Sequence, residues 1–167
     1  VQALGGAKNH MVVLPDADIS MAADAAVSAG YGSAGERCMA ISAVVAVGAA
    51  GDPLVRLLEQ KAKAIKLGVD MGPLVTCQHR DKVASYIEQG VKEGAKLVVD
   101  ARKQTMPKEG FYLGTSLFDQ VTPQMEIYKN EIFGPILPVV TVQSLDEAIT
   151  FVNSRPKPLA AYIFSTT

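Results

Sequence analysis

Residues 10–47 read HMVVLPDADISMAADAAVSAGYGSAGERCMAISAVVAV. The apolar run from His10 to Leu14, ended by Pro15, suits a buried strand. Asp16 or Asp18 then caps a helix over residues 19–29, where Ile19, Ala22, Ala23, Ala26 and Val27 recur at helical spacing and Gly30 and Gly32 close the segment. From Ile41 to Val47 the chain is β-branched and apolar with little alternation, as expected of a strand covered on both faces. Strand, helix and strand in that order open an α/β pattern.

The pattern continues to the end of the chain. Gly48 to Gly51 forms a turn, Asp52 and Pro53 make a cap and first-turn pair, and Leu54, Leu57, Leu58 and Ile65 give one apolar face to a helix through Lys66. The lysines at 61, 63 and 66 suit the C-terminus of that helix. A glycine and proline loop, LGVDMGPLV at 67–75, precedes an amphipathic helix over 77–93 that Gly94 ends. A strand at 96–99, a polar loop at 100–110 and a run at 111–118 follow. A short helix near 123–128, the stretch NEIFGPILPVVTV at 130–142, a helix over 145–153 capped by Ser144 and a strand at 159–164 complete the reading. Alternating strands and helices predict a layered α/β fold with a largely parallel sheet flanked by helices.

A chain of 167 residues with 49% hydrophobic and 20% charged content fits one domain with a sizeable core, and neither an internal repeat nor a linker interrupts it. The formal net charge is -1 with acids and bases mixed, so no face is biased toward nucleic acid. No apolar run approaches the roughly 18 residues of a membrane span. Cys38 and Cys77 make no disulfide framework, which favours a reducing compartment. Neither has a second cysteine at zinc-ligand spacing, so no metal is expected. The opening on Val1 and the stop at Thr167, just after an apolar run, predict a fragment of a longer protein.

Three features bear on chemistry. Gly30, Gly32 and Gly35 match the spacing G-x-G-x-x-G, but a dinucleotide-binding turn must follow a strand and open a helix, and this one follows a helix. Cys38 could be only a small buried hydrophobe. Beside it, however, Arg37 carries a permanent charge that would favour thiolate over thiol, and the small residues at 32–35 would leave room for a substrate, so a nucleophilic thiolate is the sharper reading. Cys77 and His79, two apart on a helix, point away from each other and read as surface residues, and His10 at the head of a strand reads as structural.

LGGAKNHMVVLPDAD, GSAGERC, MGPLV and NEIFGPILPVV, in that order and separation, resemble the catalytic half of the aldehyde dehydrogenase superfamily. GERCMA preceded by LGGAKNH resembles its methylmalonate-semialdehyde branch, which acylates coenzyme A. The resemblance implies that Cys38 attacks the aldehyde carbon to form a thiohemiacetal, which gives hydride to NAD and leaves a thioester. It implies an oxyanion held by the Cys38 backbone N–H and by an Asn side chain upstream of Val1. It gives Glu131 the nicotinamide ribose and Phe133 the nicotinamide side. A carboxylate can accept from two ribose hydroxyls, and Gly134-Pro135 would fix the bend that holds it.

The branch's substrates carry a carboxylate, which the Arg37 guanidinium could hold; pairing with Glu36 or another local acid is the alternative. Hydrolytic members of the superfamily place a Glu just before Leu-Gly-Gly to activate water, whereas this chain has Gln2-Ala3 there, and its nearest downstream carboxylate in sequence is Asp16. Water attack on the thioester should then be slow, and a thiol such as coenzyme A needs less help. For methylmalonate semialdehyde the product would be propionyl-CoA with loss of carbon dioxide.

The resemblance further implies that residues 1–167 are an incomplete, nucleophile-bearing catalytic domain and that the Rossmann-type NAD-binding domain is largely absent from them. Alone they should bind NAD weakly and turn over little. The whole protein should be a dimer or tetramer of the bacterial cytoplasm or mitochondrial matrix. A hydrolytic aldehyde dehydrogenase of another subfamily, a catalytically silent domain, and a thiol hydrolase pairing Cys38 with His10 or His79 are the alternatives.

Overall fold

A computed structural model describes residues 1–155 and 158–167. Among them, strands β1 (His10–Val13), β2 (Ala43–Val47), β3 (Lys96–Val99), β4 (Ser116–Asp119), β5 (Ile136–Val142) and β6 (Ala161–Phe164) alternate with helices α1 (Ile19–Tyr31), α2 (Gly51–Ala64), α3 (Cys77–Lys92), α4 (Glu126–Lys129) and α5 (Leu145–Asn153). The strands form one sheet in the order β3-β4-β5-β2-β1-β6. Every pairing is parallel except that of β3 with β4 at one edge. This is the layered, largely parallel α/β arrangement that the alternation of apolar segments predicts. The antiparallel edge was not legible, because a four-residue strand carries no mark of its direction.

Every residue of β1 and β2 is buried, which explains their unbroken apolar character: a strand enclosed on both faces has no polar side to show. Three helices start on a side-chain oxygen that accepts an otherwise orphaned N–H. Asp18 takes Met21 N–H at 2.9 Å, Thr76 takes His79 N–H at 3.1 Å and Ser144 takes Glu147 N–H at 3.2 Å. α2 departs from the expectation. It begins at Gly51, out of a 3-10 turn at Gly48–Ala50, so Asp52 lies inside the first turn and favours the helix dipole there rather than capping.

The run at 111–118 also pairs less than its composition predicts, since only β4 joins the sheet. Phe111 makes an isolated antiparallel bridge with Leu74, while Thr115 gives its N–H to Gln104 Oε1 and its hydroxyl to the Ala62 carbonyl. These groups take the bonds that a longer strand would need.

The glycine-rich stretch is a 3-10 turn at Gly32–Gly35 that leaves α1, and no helix starts from it. Ser33 and Ala34 have φ of 53° and 54°, and Gly35 follows at +72°. A side chain at Gly35 would run into the carbonyl of Gly134, so the turn reaches the 130–135 loop only because that position has no Cβ.

Candidate active site

Cys38 sits exposed in a four-residue turn closed by the Ala40 N–H on the Arg37 carbonyl, at 3.0 Å. The Arg37–Cys38 peptide is planar, so pinning that carbonyl fixes the opposite side of the plane, where the Cys38 N–H lies. Among the described residues this N–H has no protein acceptor. The turn is held from below by Asn9, which is 1% exposed and immediately precedes β1. Its Nδ2 donates to the Cys38 carbonyl at 2.9 Å and the Ala40 carbonyl at 2.8 Å. Its Oδ1 accepts from the N–H groups of Leu159 and Ala160, both at 3.0 Å.

Glu131 and Phe133 follow α4. One carboxylate oxygen of Glu131 accepts from the Gly6 N–H at 2.5 Å. Phe133 is 38% exposed and has φ of 56°, a conformation a bulky residue adopts only when its surroundings impose it. The imposition comes from α3. His79 Nε2 donates to the Phe133 carbonyl at 2.7 Å, its ring meets the Phe133 ring edge-on at 6.4 Å, and Val83, one turn on, leaves no room for a Cβ at Gly134. Since a carbonyl only accepts, Nε2 carries the proton. Glu36 completes the support, 3.6 Å from His79 Nε2 and accepting the Val75 N–H at 3.1 Å.

Beneath Glu131 lies Lys8, 3% exposed, with its amine on the Asn130 carbonyl at 2.8 Å and the Ile127 carbonyl at 3.4 Å. Burial, aided by the positive charge of Arg155 and opposed by Glu131, lowers its pKa to about 7. His10 is fully buried, with Nε2 2.8 Å from the Tyr128 hydroxyl. Burial, with the Lys8 charge nearby, lowers its pKa to about 4, so it is neutral near pH 7.

A cavity of about 770 Å³ is walled by Cys38, Glu131, Phe133, Leu159 and residues 4–7, a size in the range of small-molecule sites. Three of the four residues picked from the sequence therefore meet at one opening. Arg37 does not wall it. Its guanidinium lies over Gly32 and donates to the carbonyls of Ser28 at 3.0 Å and Ala29 at 3.3 Å, at the end of α1. Nor do residues 32–35 leave open room: Ala34 and Gly35 are buried and the glycines are met by protein atoms.

Neither His10 nor His79 lines the cavity, which leaves a hydrolase pairing of Cys38 with histidine without a base. Asp16, the nearest carboxylate downstream in sequence, lies past the far end of β1 and accepts from Ser165 and Thr166. The carboxylate close in space is Glu131. His79, read as a surface residue, instead supports the 130–135 loop, and Asn9 and Lys8 were not singled out at all. Their signal was present: Lys8-Asn9 sets two polar residues directly before His10 and the buried apolar residues of β1.

All 167 residues match the aldehyde dehydrogenase family. The chain is 52% identical over 174 residues to a malonate-semialdehyde dehydrogenase of Pseudomonas aeruginosa, covering 99% of this chain and 35% of that protein. It is 49% identical over 172 residues to one of Halalkalibacterium halodurans, covering 99% of this chain and 36% of that protein. Among solved structures, the methylmalonate-semialdehyde dehydrogenase DddC of Oceanimonas doudoroffii superposes with a TM-score of 0.94 at 44% identity, over 99% of this chain and 36% of that one. A protein of Sinorhizobium meliloti 1021 assigned as a methylmalonate-semialdehyde dehydrogenase, complexed with NAD, also gives 0.94 at 43% identity, over 98% of this chain and 35% of that one. The chain thus spans little more than a third of the length of these relatives. Its fold, its ordered motifs and its match from end to end agree: the chain belongs to the aldehyde dehydrogenase family.

Proposed function

We propose that this chain supplies the acyl-carrying part of a dehydrogenase that oxidises malonate or methylmalonate semialdehyde with NAD and passes the acyl group to coenzyme A. The observation that carries the reading is the single cavity shared by Cys38, Glu131 and Phe133. Residues 1–167 are then the nucleophile-bearing catalytic domain, with most of the NAD-binding surface on a separate Rossmann-type domain. The bacterial relatives favour the bacterial cytoplasm as its compartment.

In this reading the Cys38 thiolate adds to the aldehyde carbon, and the carbonyl oxygen becomes the alkoxide of a thiohemiacetal. The Cys38 N–H, without an acceptor among the described residues, is the donor available to that oxygen. NAD, when bound, supplies the acceptor for the hydride. The residues present fit its ribose end: Glu131 has one oxygen fixed by Gly6 and one that bonds nothing among the described residues and can accept hydroxyls, and Phe133 offers an exposed ring in the same cavity. As the carbonyl re-forms, Cys38 holds a thioester, which the sulfur of coenzyme A attacks to release the Cys38 thiolate. Arg37 is the candidate for the substrate carboxylate and would exchange the Ser28 and Ala29 carbonyls for it. That role fails if Arg37→Lys leaves the preference for carboxylated over plain aldehydes unchanged.

Hydrolysis has one observation on its side, the Glu131 carboxylate in the Cys38 cavity. The deciding experiment follows NADH and acyl product from malonate semialdehyde, with and without coenzyme A, in a protein of the relatives' full length. We expect turnover to rise with coenzyme A and the thioester to be the product. Rapid release by water with no response to coenzyme A would overturn the acylating reading.

A further inference from the structure

Asn9 uses the whole bonding capacity of its side-chain amide on two separate pieces of the cavity wall. The Nδ2 group reaches two carbonyls of the Cys38 turn, and Oδ1 takes two N–H groups of the Leu159–Ala160 segment. Those pieces lie 29 to 31 and 150 to 151 residues from it in the chain. Its main chain is equally committed. The Asn9 carbonyl accepts from Ser42 N–H at 2.9 Å and Ala43 N–H at 3.2 Å where β2 begins, and its N–H donates to Ser42 Oγ.

A residue whose only task was to fill space at 1% exposure would not need to be polar, because a buried amide is costly unless every group is paired. Here every group is paired, two donors to one wall and two acceptances from the other. No other side chain of the described residues bonds to the carbonyl of Cys38. The bonds fall on the backbone that carries Cys38 and on a segment whose Leu159 lines the same cavity.

We propose that Asn9 is a positioning residue for the nucleophile: it locks the Cys38 turn and the Leu159–Ala160 segment to one another through a single amide. The inference rests on the reading of Cys38 as the acyl carrier. The lock acts on geometry alone. With the Cys38 and Ala40 carbonyls held by Nδ2 and the Arg37 carbonyl held by the turn, both peptides flanking Cys38 are fixed, and with them the Cα–Cβ bond from which Sγ swings and the N–H that meets the oxyanion. Errors of about 1 Å in such placement cost on the order of a hundredfold in rate.

Asn9→Asp tests this with little change of shape. It keeps an oxygen for Leu159 and Ala160 but turns the two donors into an acceptor facing the Cys38 and Ala40 carbonyls. The probe is 4-nitrophenyl acetate, which needs no NAD: the thiolate attacks the acyl carbon, the new S–C bond forms, and 4-nitrophenolate leaves. Peptide mapping then gives the ratio of acylation at Cys38 to that at Cys77, whose surroundings Asn9 does not touch. We expect Asn9→Asp to lower the ratio about tenfold, with Cys77 labelled as in the unsubstituted protein. An unchanged ratio in a folded variant would overturn the lock.

Should a buried carboxylate prevent folding, the unsubstituted protein decides. A coupling across the hydrogen bond between Asn9 Nδ2 and the Cys38 carbonyl carbon, with slowly exchanging side-chain amide protons, supports the lock. A freely exchanging Asn9 amide without that coupling overturns it. In the unsubstituted protein of the relatives' full length, acylation of Cys38 by the ester without NADH formation from malonate semialdehyde would sink the oxidative reading and leave the lock standing.

Discussion

The two cysteines differ in a way that local sequence conceals. Cys77, at the start of α3, has the more charged neighbourhood: Arg80 Nη2 lies 3.1 Å from its sulfur and Asp81 3.7 Å away. Both neighbours come from its own helix, and Arg80 also pairs with Asp81 at 2.7 Å. Cys38 has an arginine beside it in sequence, yet that guanidinium is turned back on the end of α1. What Cys38 has instead is convergence: residues 4–7, the 131–133 loop and Leu159 close around it. A charged neighbour tunes a thiol, whereas walls drawn from distant segments can hold a substrate against it. Convergence is the better mark of a cysteine placed to meet a substrate.

The largest expected effect separates the pair directly. Cys38→Ser should reduce semialdehyde oxidation, followed as NADH formation in the full-length enzyme, by about 10⁴-fold, while Cys77→Ser stays within about twofold. Equal losses would break the comparison. A smaller effect concerns the backbone ahead of Cys38 and the backbone past the Cys77 helix. Gly35→Ala drives a Cβ into the Gly134 backbone at φ +72° and should cost about 3 kcal/mol in urea denaturation. Gly94→Ala, past the far end of the Cys77 helix, has φ +93° but open space around it and should cost about 1 kcal/mol. Similar costs at the two sites would show that the contact of Gly35 with Gly134 is loose.

A further effect is one of pH. Lys8, under Glu131 on the Cys38 side, titrates near 7 when folded and at 10.5 when unfolded. Between those values the unfolded chain binds the extra proton, so the penalty of burying a charge fades and stability rises as pH rises. Below about pH 7 the penalty is complete. The urea midpoint should therefore climb from pH 7 to pH 9 in the unsubstituted protein. The climb should flatten in Lys8→Met and persist in Arg80→Met on the Cys77 side. A climb that survives Lys8→Met would remove Lys8 as its source.

Much of this was legible because it is written in short-range periodicity. The apolar runs that become β1 and β2, the caps at Asp18 and Ser144, and the helix over 77–93 each follow from residues within a few positions of one another. Cys38, Glu131 and Phe133 were legible through ordered motifs, and the cavity brings them together. The sequence hid interactions in which one polar side chain meets distant backbone. Lys8 reaches Asn130, His79 reaches Phe133 and Asn9 reaches Leu159 across 122, 54 and 150 residues. No period encodes such a bond. Arg37 shows the same limit, since the helix end it returns to supplies carbonyls rather than the acid that charge pairing suggests.

The three glycines at 30, 32 and 35 carry one more consequence. A Cβ at Gly30 would stand 3.2 Å from Leu137, one at Gly32 would stand 2.8 Å from the Arg37 guanidinium, and one at Gly35 would strike the Gly134 carbonyl. Each absent side chain is matched by an atom of the protein itself. Glycine spacing records that something comes close, and it is silent on whether the visitor is a phosphate or the molecule's own interior. In this family member the apparent nucleotide signature is a seam, where the turn that leads into Cys38 is sewn to the loop that carries Glu131.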